Sequence, residues 1–403
     1  MKYVPIPVAL LEVGKPLPVD LWSASGQLLL RKGQPVASEE HRDKLHAHQA
    51  SSTPADALAW QRSYERMVHA MLSAGADLQA ISKCPMPSEI PDSDYVEGEP
   101  LKGGWLDLQA VLRGILYQGG LAVSPLERLT GLQAKAKALL QADPDDSLFC
   151  LFQALADSAQ GYCATHALLC AVVAELTAQK LNVAAAQRDA LFSAALLMNI
   201  GMARDQDSLA RQQSAPSGWQ RTLIKEHPQK SVAILQGLGL VDPEMLDMVR
   251  WHHEPQSPEG LPSTANARRI LAMTDSFVAK MAARKTRVSL SPVKAVKSMV
   301  MGAEGLGLGI GSAMAQAAGF YPPGTYVLLA NGETALSVQR GVRANTPWII
   351  PILDKDGVAL GKLQCRESTT PAFTIAAAVS AESIRVTVAM DTVRKARSKI
   401  ANL

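Results

Sequence analysis

Imidazole and carboxylate side chains recur in one ordered series in the second half of the chain. His166 stands in GYCATHALLCAVVAE and His227 in IKEHPQKS. The pair His252 and His253 ends MLDMVRWHHE, and Asp275 follows in RILAMTDSFVAK. Nitrogen and oxygen donors of this kind suit divalent Mn, Fe, Zn or Ni. A histidine pair followed one helix later by an aspartate can converge on a bundle interior. Taken singly, each residue also has a purely structural reading. His227 precedes a proline and would cap or end a helix. His252 and His253 would complement a helix dipole at an exposed terminus. Asp275 would lie on a solvated face. His166 shares a helical face with Cys163 and Cys170, where core packing outweighs a separate Cys/His zinc site. The order of the series favours a site.

The elements around these residues are mainly helical. From Trp105 to about Ala318 the apolar period is that of helices, with Phe149–Lys180 as one long apolar-rich run. Asp242-Pro243-Glu244 and Ser291-Pro292 read as helix starts, with the acidic or hydroxyl residue as N-cap and proline at the first helical position. Ala265–Lys280 places Ile270, Leu271, Met273, Phe277 and Val278 on one face. Before this region, residues 1 to about 50 read as a small β unit. Its strands are Pro5–Leu11 and Gln27–Lys32, about the turn Ser23-Ala24-Ser25-Gly26. A helix is expected from Pro54 to about Gly75, then a Pro/Ser/Asp/Gly-rich stretch over 82–104. After Gly319, Thr325–Leu329, Ala335–Gln339, Trp348–Leu353 and Phe373–Val379 read as strands, with hairpin turns at Asn331-Gly332 and Asp356-Gly357. Met390–Ile400 reads as a short basic helix, whose arginines and lysines are exposed charge by default.

Composition limits the function classes. With 40 basic and 37 acidic side chains the net charge is +3, which gives no strong field for nucleic acid or an anionic membrane. No stretch approaches the roughly 20 apolar residues that span a bilayer. The expected location is therefore the cytoplasm, with no membrane insertion and no nucleic-acid partner. Five cysteines without a CxxC pair are expected to be reduced.

Four stretches resemble the HD-GYP family, the cyclic di-GMP phosphodiesterases of the HD superfamily of metallophosphohydrolases. They are His166 in its helix, AALLMNIGM at 194–202, HHEPQSPEGLP at 252–262, and GFYPPGTYVLLANGETALSVQRG at 319–341. The second is similar to the family's AALLHDIGK, the third aligns without a gap to HHExxDGxGYP, and the fourth resembles the closing β-hairpin. The first fifty residues also resemble the small domain often attached to such proteins. The resemblance implies a mainly α fold. A small β plus helix domain would cover 1–80, a linker 81–104, an HD-GYP-like helical domain 105–320, and a β-hairpin extension with a terminal helix 321–403. It also implies that His166, His227, His252, His253 and Asp275 are metal ligands.

The departures from the family pattern bear on activity. Met198 and Asn199 stand where the family has its histidine and metal-bridging aspartate, and Met202 stands for the lysine. Asparagine offers a neutral amide oxygen, and methionine a soft thioether unsuited to Mn or Fe(II). In the third stretch Ser257, Pro258 and Leu261 replace the aspartate, the first glycine and the tyrosine, while Gly260 and Pro262 remain. The resemblance and its departures together imply an inactive regulatory or protein-interaction module of bacterial cyclic di-GMP signalling, with protein partners and either no cofactor or one divalent ion. A weak phosphodiesterase recruiting Asp205 or Asp207 is the enzymatic alternative. A non-hydrolytic cyclic di-GMP sensor is another. It would use Arg269, Arg284, Lys285 and Arg287, with the loop Gly260, Leu261 and Pro262 beside the ligand.

Overall fold

Prolines and glycines divide the first fifty residues into very short strands. In the computed structural model β1 (Val4–Pro5), β2 (Leu21–Trp22), β3 (Leu28–Leu30) and β4 (Ser51–Ser52) form an antiparallel sheet of order β1-β4-β2-β3. The structure describes residues 3–23, 25–73, 80, 84–90, 104–122, 124–156, 161–282, 294–295, 306–361, 363–386 and 388–400. The chain divides into two units, Met1–Lys102 and Gly103–Leu403. In the first, the expected strand Pro5–Leu11 is cut short. Only Val4 and Pro5 pair, and Val8–Leu10 forms a 3-10 turn, because Pro5 and Pro7 cannot donate to a ladder. Helix α1 (Glu39–Ala47) and helix α2 (Pro54–Ser73) complete the unit. Residues 84–90 belong to its packing. Met86 is buried in the same core as Val19, Leu21 and Trp60, and the Trp60 indole N–H donates to the Pro87 carbonyl at 2.8 Å.

The second unit is built around one buried helix. Its elements are α3 (Trp105–Gln118), α4 (Pro125–Ala142), α5 (Pro144–Ala156), α6 (Tyr162–Lys180), α7 (Ala185–Leu197), α8 (Ala203–Arg211), α9 (Gly218–Gly237), α10 (Pro243–Trp251), α11 (Ala265–Met281) and α12 (Leu306–Ala318). The apolar run expected over Phe149–Lys180 is two helices, with Gly161 immediately before the second. Every residue of α6 from Cys163 to Ala178 is buried, and α3, α5, α7, α8, α11 and α12 pack around it. A helix apolar on all sides belongs inside a bundle. The Asp242-Pro243 start is realised, with the Asp242 carboxylate accepting the N–H groups of Glu244 and Met245. Ser291-Pro292 lies outside the described residues.

The C-terminal hairpin is part of a larger sheet. Strands β5 (Tyr326–Leu329), β6 (Thr334–Gln339), β7 (Trp348–Leu353), β8 (Arg366–Glu367) and β9 (Ile375–Val379) are antiparallel in the order β8-β7-β6-β5-β9. The basic terminal helix α13 (Met390–Arg397) is not merely solvated. Arg394 and Arg397 pair with Asp146 and Asp143 at the start of α5, at 2.9 Å each, and Arg340 pairs with Asp145 at 2.7 Å. The acidic first turn of α5 thus anchors both the sheet and the last helix. Among the described residues no helix is long and apolar enough to cross a membrane.

Candidate metal centre

Four helices of the second unit bring the predicted ligands together. His166 comes from α6, His227 from α9, His252 and His253 from the end of α10, and Asp275 from α11. The reading of His227 as a helix end is corrected, because α9 runs through Pro228. A proline inside a helix leaves the carbonyl four residues back without its N–H partner. That carbonyl belongs to Ile224, and the His227 ring fills it, with Nδ1 at 2.6 Å from the oxygen. The His252 ring does the same at the end of α10, where helix carbonyls lack partners. Its Nδ1 lies 2.7 Å from the Val249 oxygen.

Those two contacts fix the chemistry of both rings. A carbonyl only accepts, so each Nδ1 carries the proton and each neutral Nε2 presents a lone pair. The two Nε2 atoms face each other at 3.1 Å. Burial pushes the His227 pKa down to about 4 and that of His252 down to about 3, with the neighbouring His253 adding to both. Two lone pairs opposed at this distance repel each other unless a cation lies between them. The separation is one that bonds of about 2.0–2.1 Å from imidazole to a shared metal can span. Metal-binding histidines characteristically donate their other ring N–H to a carbonyl or carboxylate, as these do. His253 completes a group of three with ligand atoms within 4.8 Å of one another.

His166 and Asp275 form an adjoining group. The His166 Nε2 donates to Asp275 Oδ1 at 2.8 Å, and its Nδ1 lies 3.1 Å from the Tyr162 hydroxyl. Burial raises the Asp275 pKa, but the His166 hydrogen bond and the electrostatic effect of the surrounding imidazoles together outweigh it and hold the carboxyl well below its usual range. Asp275 is therefore a partnered carboxylate, not a solvated one. A residue outside the expected ligand set belongs to this group too. Cys170 Sγ lies 3.4 Å from His166 Nε2, and His166, Cys170 and Asp275 have ligand atoms within 4.8 Å of one another. The spacing i, i+4 on α6 was the signal for it.

The Met198–Met202 turn sits against this centre. It links α7 to α8 and packs on α9 one helical turn beyond His227. The Ser231 hydroxyl donates to the Met198 carbonyl at 2.7 Å and accepts the Gly201 N–H at 3.0 Å. A Cβ at Gly201 would lie 2.8 Å from the Ser231 nitrogen and 2.9 Å from the His227 oxygen, so only glycine permits this approach. Met198, Asn199 and Met202 are all buried. The Asn199 carboxamide takes part in no hydrogen bond among the described residues.

The other candidates are placed elsewhere or are already committed. Both Asp207 oxygens are taken. Oδ1 accepts the Cys163 N–H at 2.6 Å, at the start of α6, while Oδ2 accepts from Tyr117 and lies 3.5 Å from Arg113. Asp207 thus anchors the helix that carries His166 and is not a spare ligand. The loop Gly260, Leu261 and Pro262 is tied down by a buried ion pair. Arg268 meets Asp247 at 2.9 Å, and Asp247 also accepts the Leu261 N–H at 3.0 Å and the Thr264 hydroxyl. The Arg268 guanidinium lies so close to Gly260 that a Cβ there would overlap it. Pro262 opens the 3-10 turn Pro262–Thr264 that leads into α11. Arg269 is half-buried on α11. Arg284, Lys285 and Arg287 lie outside the described residues.

Among the described residues, the two groups offer imidazole, thiol and carboxylate donors of the kind that hold a divalent metal, with Asp275 as their carboxylate. The helical bundle brings these histidine and aspartate side chains together from separate helices. Residues 150–305 match the family model of the HD domain, and the stretches at His166, 194–202, 252–262 and Asp275 lie within that match. Among solved structures, the chain is similar to Bd1817, an HDG"Y"P protein from Bdellovibrio bacteriovorus. The identity is 15% and the TM-score 0.40, covering 78% of this chain and 98% of that one. No curated protein matches the chain.

Proposed function

We propose that the second unit is a catalytically silent HD-GYP-like module that acts in bacterial cyclic di-GMP signalling by binding a protein partner. The observation that carries this reading is Asn199. The turn it occupies is held against the ligand helix by Ser231 and Gly201, yet it presents a neutral amide where a metal-bridging carboxylate would stand. A hydrolytic pair of metals works by acidifying a bound water and clamping the attacking and leaving oxygens. Without an anionic bridge the two charges repel across a buried site. Asp207 does not replace the bridge, because Cys163, Tyr117 and Arg113 hold it.

The surviving ligands favour a second reading, a weak phosphodiesterase with a single metal. When bound, one Mn, Fe, Zn or Ni ion would supply a Lewis acid and an acidified water there. His227, His252 and His253 would hold it. His166 and Asp275 would orient the adjoining side, and the Nδ1 bonds to Ile224 and Val249 would keep the rings aimed. Hydrolysis of cyclic di-GMP with added manganese separates the readings. Product formation no greater than that of His252→Ala supports the silent module. Turnover well above that control overturns it in favour of the enzyme.

A further inference from the structure

We propose that Cys170 is a metal ligand in this chain, and that His166, Cys170 and Asp275 together take one soft divalent ion of the zinc class. The inference stands on the geometry of this group and holds whether or not the protein hydrolyses anything.

Cys170 follows His166 by one helical turn on the same face of α6. Its sulfur lies 3.4 Å from His166 Nε2, which is itself 2.8 Å from Asp275 Oδ1. Three donor types from two helices therefore converge within 4.8 Å. Cys163, on the same helix and equally buried, belongs to no such group among the described residues, and its backbone N–H serves Asp207.

Charge supports a role for the sulfur. Among the described residues, Asp275 is the only carboxylate in the two ligand groups. A buried dication with Asp275 alone keeps an uncompensated positive charge, which is costly away from water. A Cys170 thiolate supplies the second negative charge and makes the set neutral. Thiolate with imidazole and carboxylate selects zinc over manganese.

Binding balances with one proton released. Sulfur binds metals as thiolate, so Cys170 loses its S–H proton to solvent as the sulfur–metal bond forms. The His166 ring keeps its proton but moves it from Nε2, which takes the metal, to Nδ1. There the Tyr162 oxygen, at 3.1 Å, accepts it. Asp275 is already a carboxylate.

Cobalt(II) reports on this directly, since a cobalt–thiolate bond gives a charge-transfer band in the near ultraviolet that nitrogen and oxygen ligands lack. The full-length protein is stripped with a chelator and titrated with cobalt(II), then with zinc(II) and manganese(II). The expected result is a charge-transfer band in the wild type and in Cys163→Ala, and its loss in Cys170→Ala and in the volume-preserving Cys170→Ser. Zinc should bind about tenfold or more weaker in the Cys170 variants. No band in the wild type overturns the proposal. So does a band that survives in a folded Cys170 variant, or manganese binding as tightly as zinc.

Discussion

Burial of the His227 and His252 rings makes the stability of the metal-free protein fall in weak acid, and the structure sets the size of the effect. Burial holds their pKa values near about 4 and about 3 in the folded protein, against 6.5 for an exposed ring. Below a pH of about 6.5 the unfolded chain binds a proton on each ring that the folded chain refuses. Folding then releases protons, so stability is complete above the unfolded pKa and is lost as pH falls toward the folded values. At about pH 5 each ring lies about 1.5 units below its unfolded midpoint. At about 1.36 kcal/mol per unit this costs roughly 2 kcal/mol per ring. The two together cost roughly 4 kcal/mol if neither ring is protonated when folded, and roughly 2 kcal/mol if one proton bridges the facing Nε2 atoms. Few carboxylates contribute over this interval, because their unfolded titration centres near about 4.

The assay is urea unfolding at about pH 7 and about pH 5, with chelator present, of the wild type and of a variant carrying His227→Leu and His252→Leu. Leucine removes the titrating rings and leaves apolar groups of similar size in a buried site. The difference between the two proteins in their acid-induced loss isolates these rings, and effects of the N-terminal unit cancel. The wild type should lose roughly 2–4 kcal/mol more than the variant between the two pH values. Equal losses would refute the reasoning, since the rings would then be either solvated or protonated in the native state.

Gly201→Ala should cost about 2–3 kcal/mol in urea unfolding, because its methyl group meets the Ser231 and His227 backbone and parts the Ser231 hydrogen bonds. Arg268→Met leaves the buried Asp247 carboxylate without its cation, and the same assay should register a loss of about 3–5 kcal/mol. Chelation should lower the melting temperature of metal-loaded wild type, corresponding to about 2.7 kcal/mol when metal was present at about 100 times its dissociation constant. A variant carrying both His252→Ala and Cys170→Ala, which removes a donor from each ligand group, should show no such shift.

Much of the helical unit was legible in the sequence because its signals are local. The Asp242-Pro243 cap, the apolar face of Ala265–Lys280 and the Asn331-Gly332 turn each depend on neighbouring residues, and each appears in the structure. The convergence of His227 with His252 and His253, and of His166 with Asp275, was expected from the HD-GYP resemblance, and the structure brings these side chains together. What escaped depended on contacts between distant elements. Arg394 and Arg397 look like solvated charge until Asp143 and Asp146, some 250 residues earlier, meet them. Asp207 looks available until Cys163 and Tyr117 are placed beside it. His227 looked like a helix terminus because Pro228 usually ends helices. The same proline instead frees the Ile224 carbonyl, and that carbonyl sets the tautomer of the ring.

Asn199 alters the centre through charge, not through backbone shape. Ser231 still grips the Met198 carbonyl and the Gly201 N–H, so the turn does not need a metal to hold its place. The turn therefore keeps its place with a neutral side chain at Asn199. Two dications beside Asp275 alone would leave three positive charges in a largely buried cluster, and even a Cys170 thiolate would leave two. One dication with Asp275 and Cys170 leaves none. Desolvating an unpaired charge costs several kcal/mol, so the neutral arrangement is the one the proposal favours. On the proposed assignment, a Cys170 thiolate is the donor that makes a single dication beside Asp275 neutral.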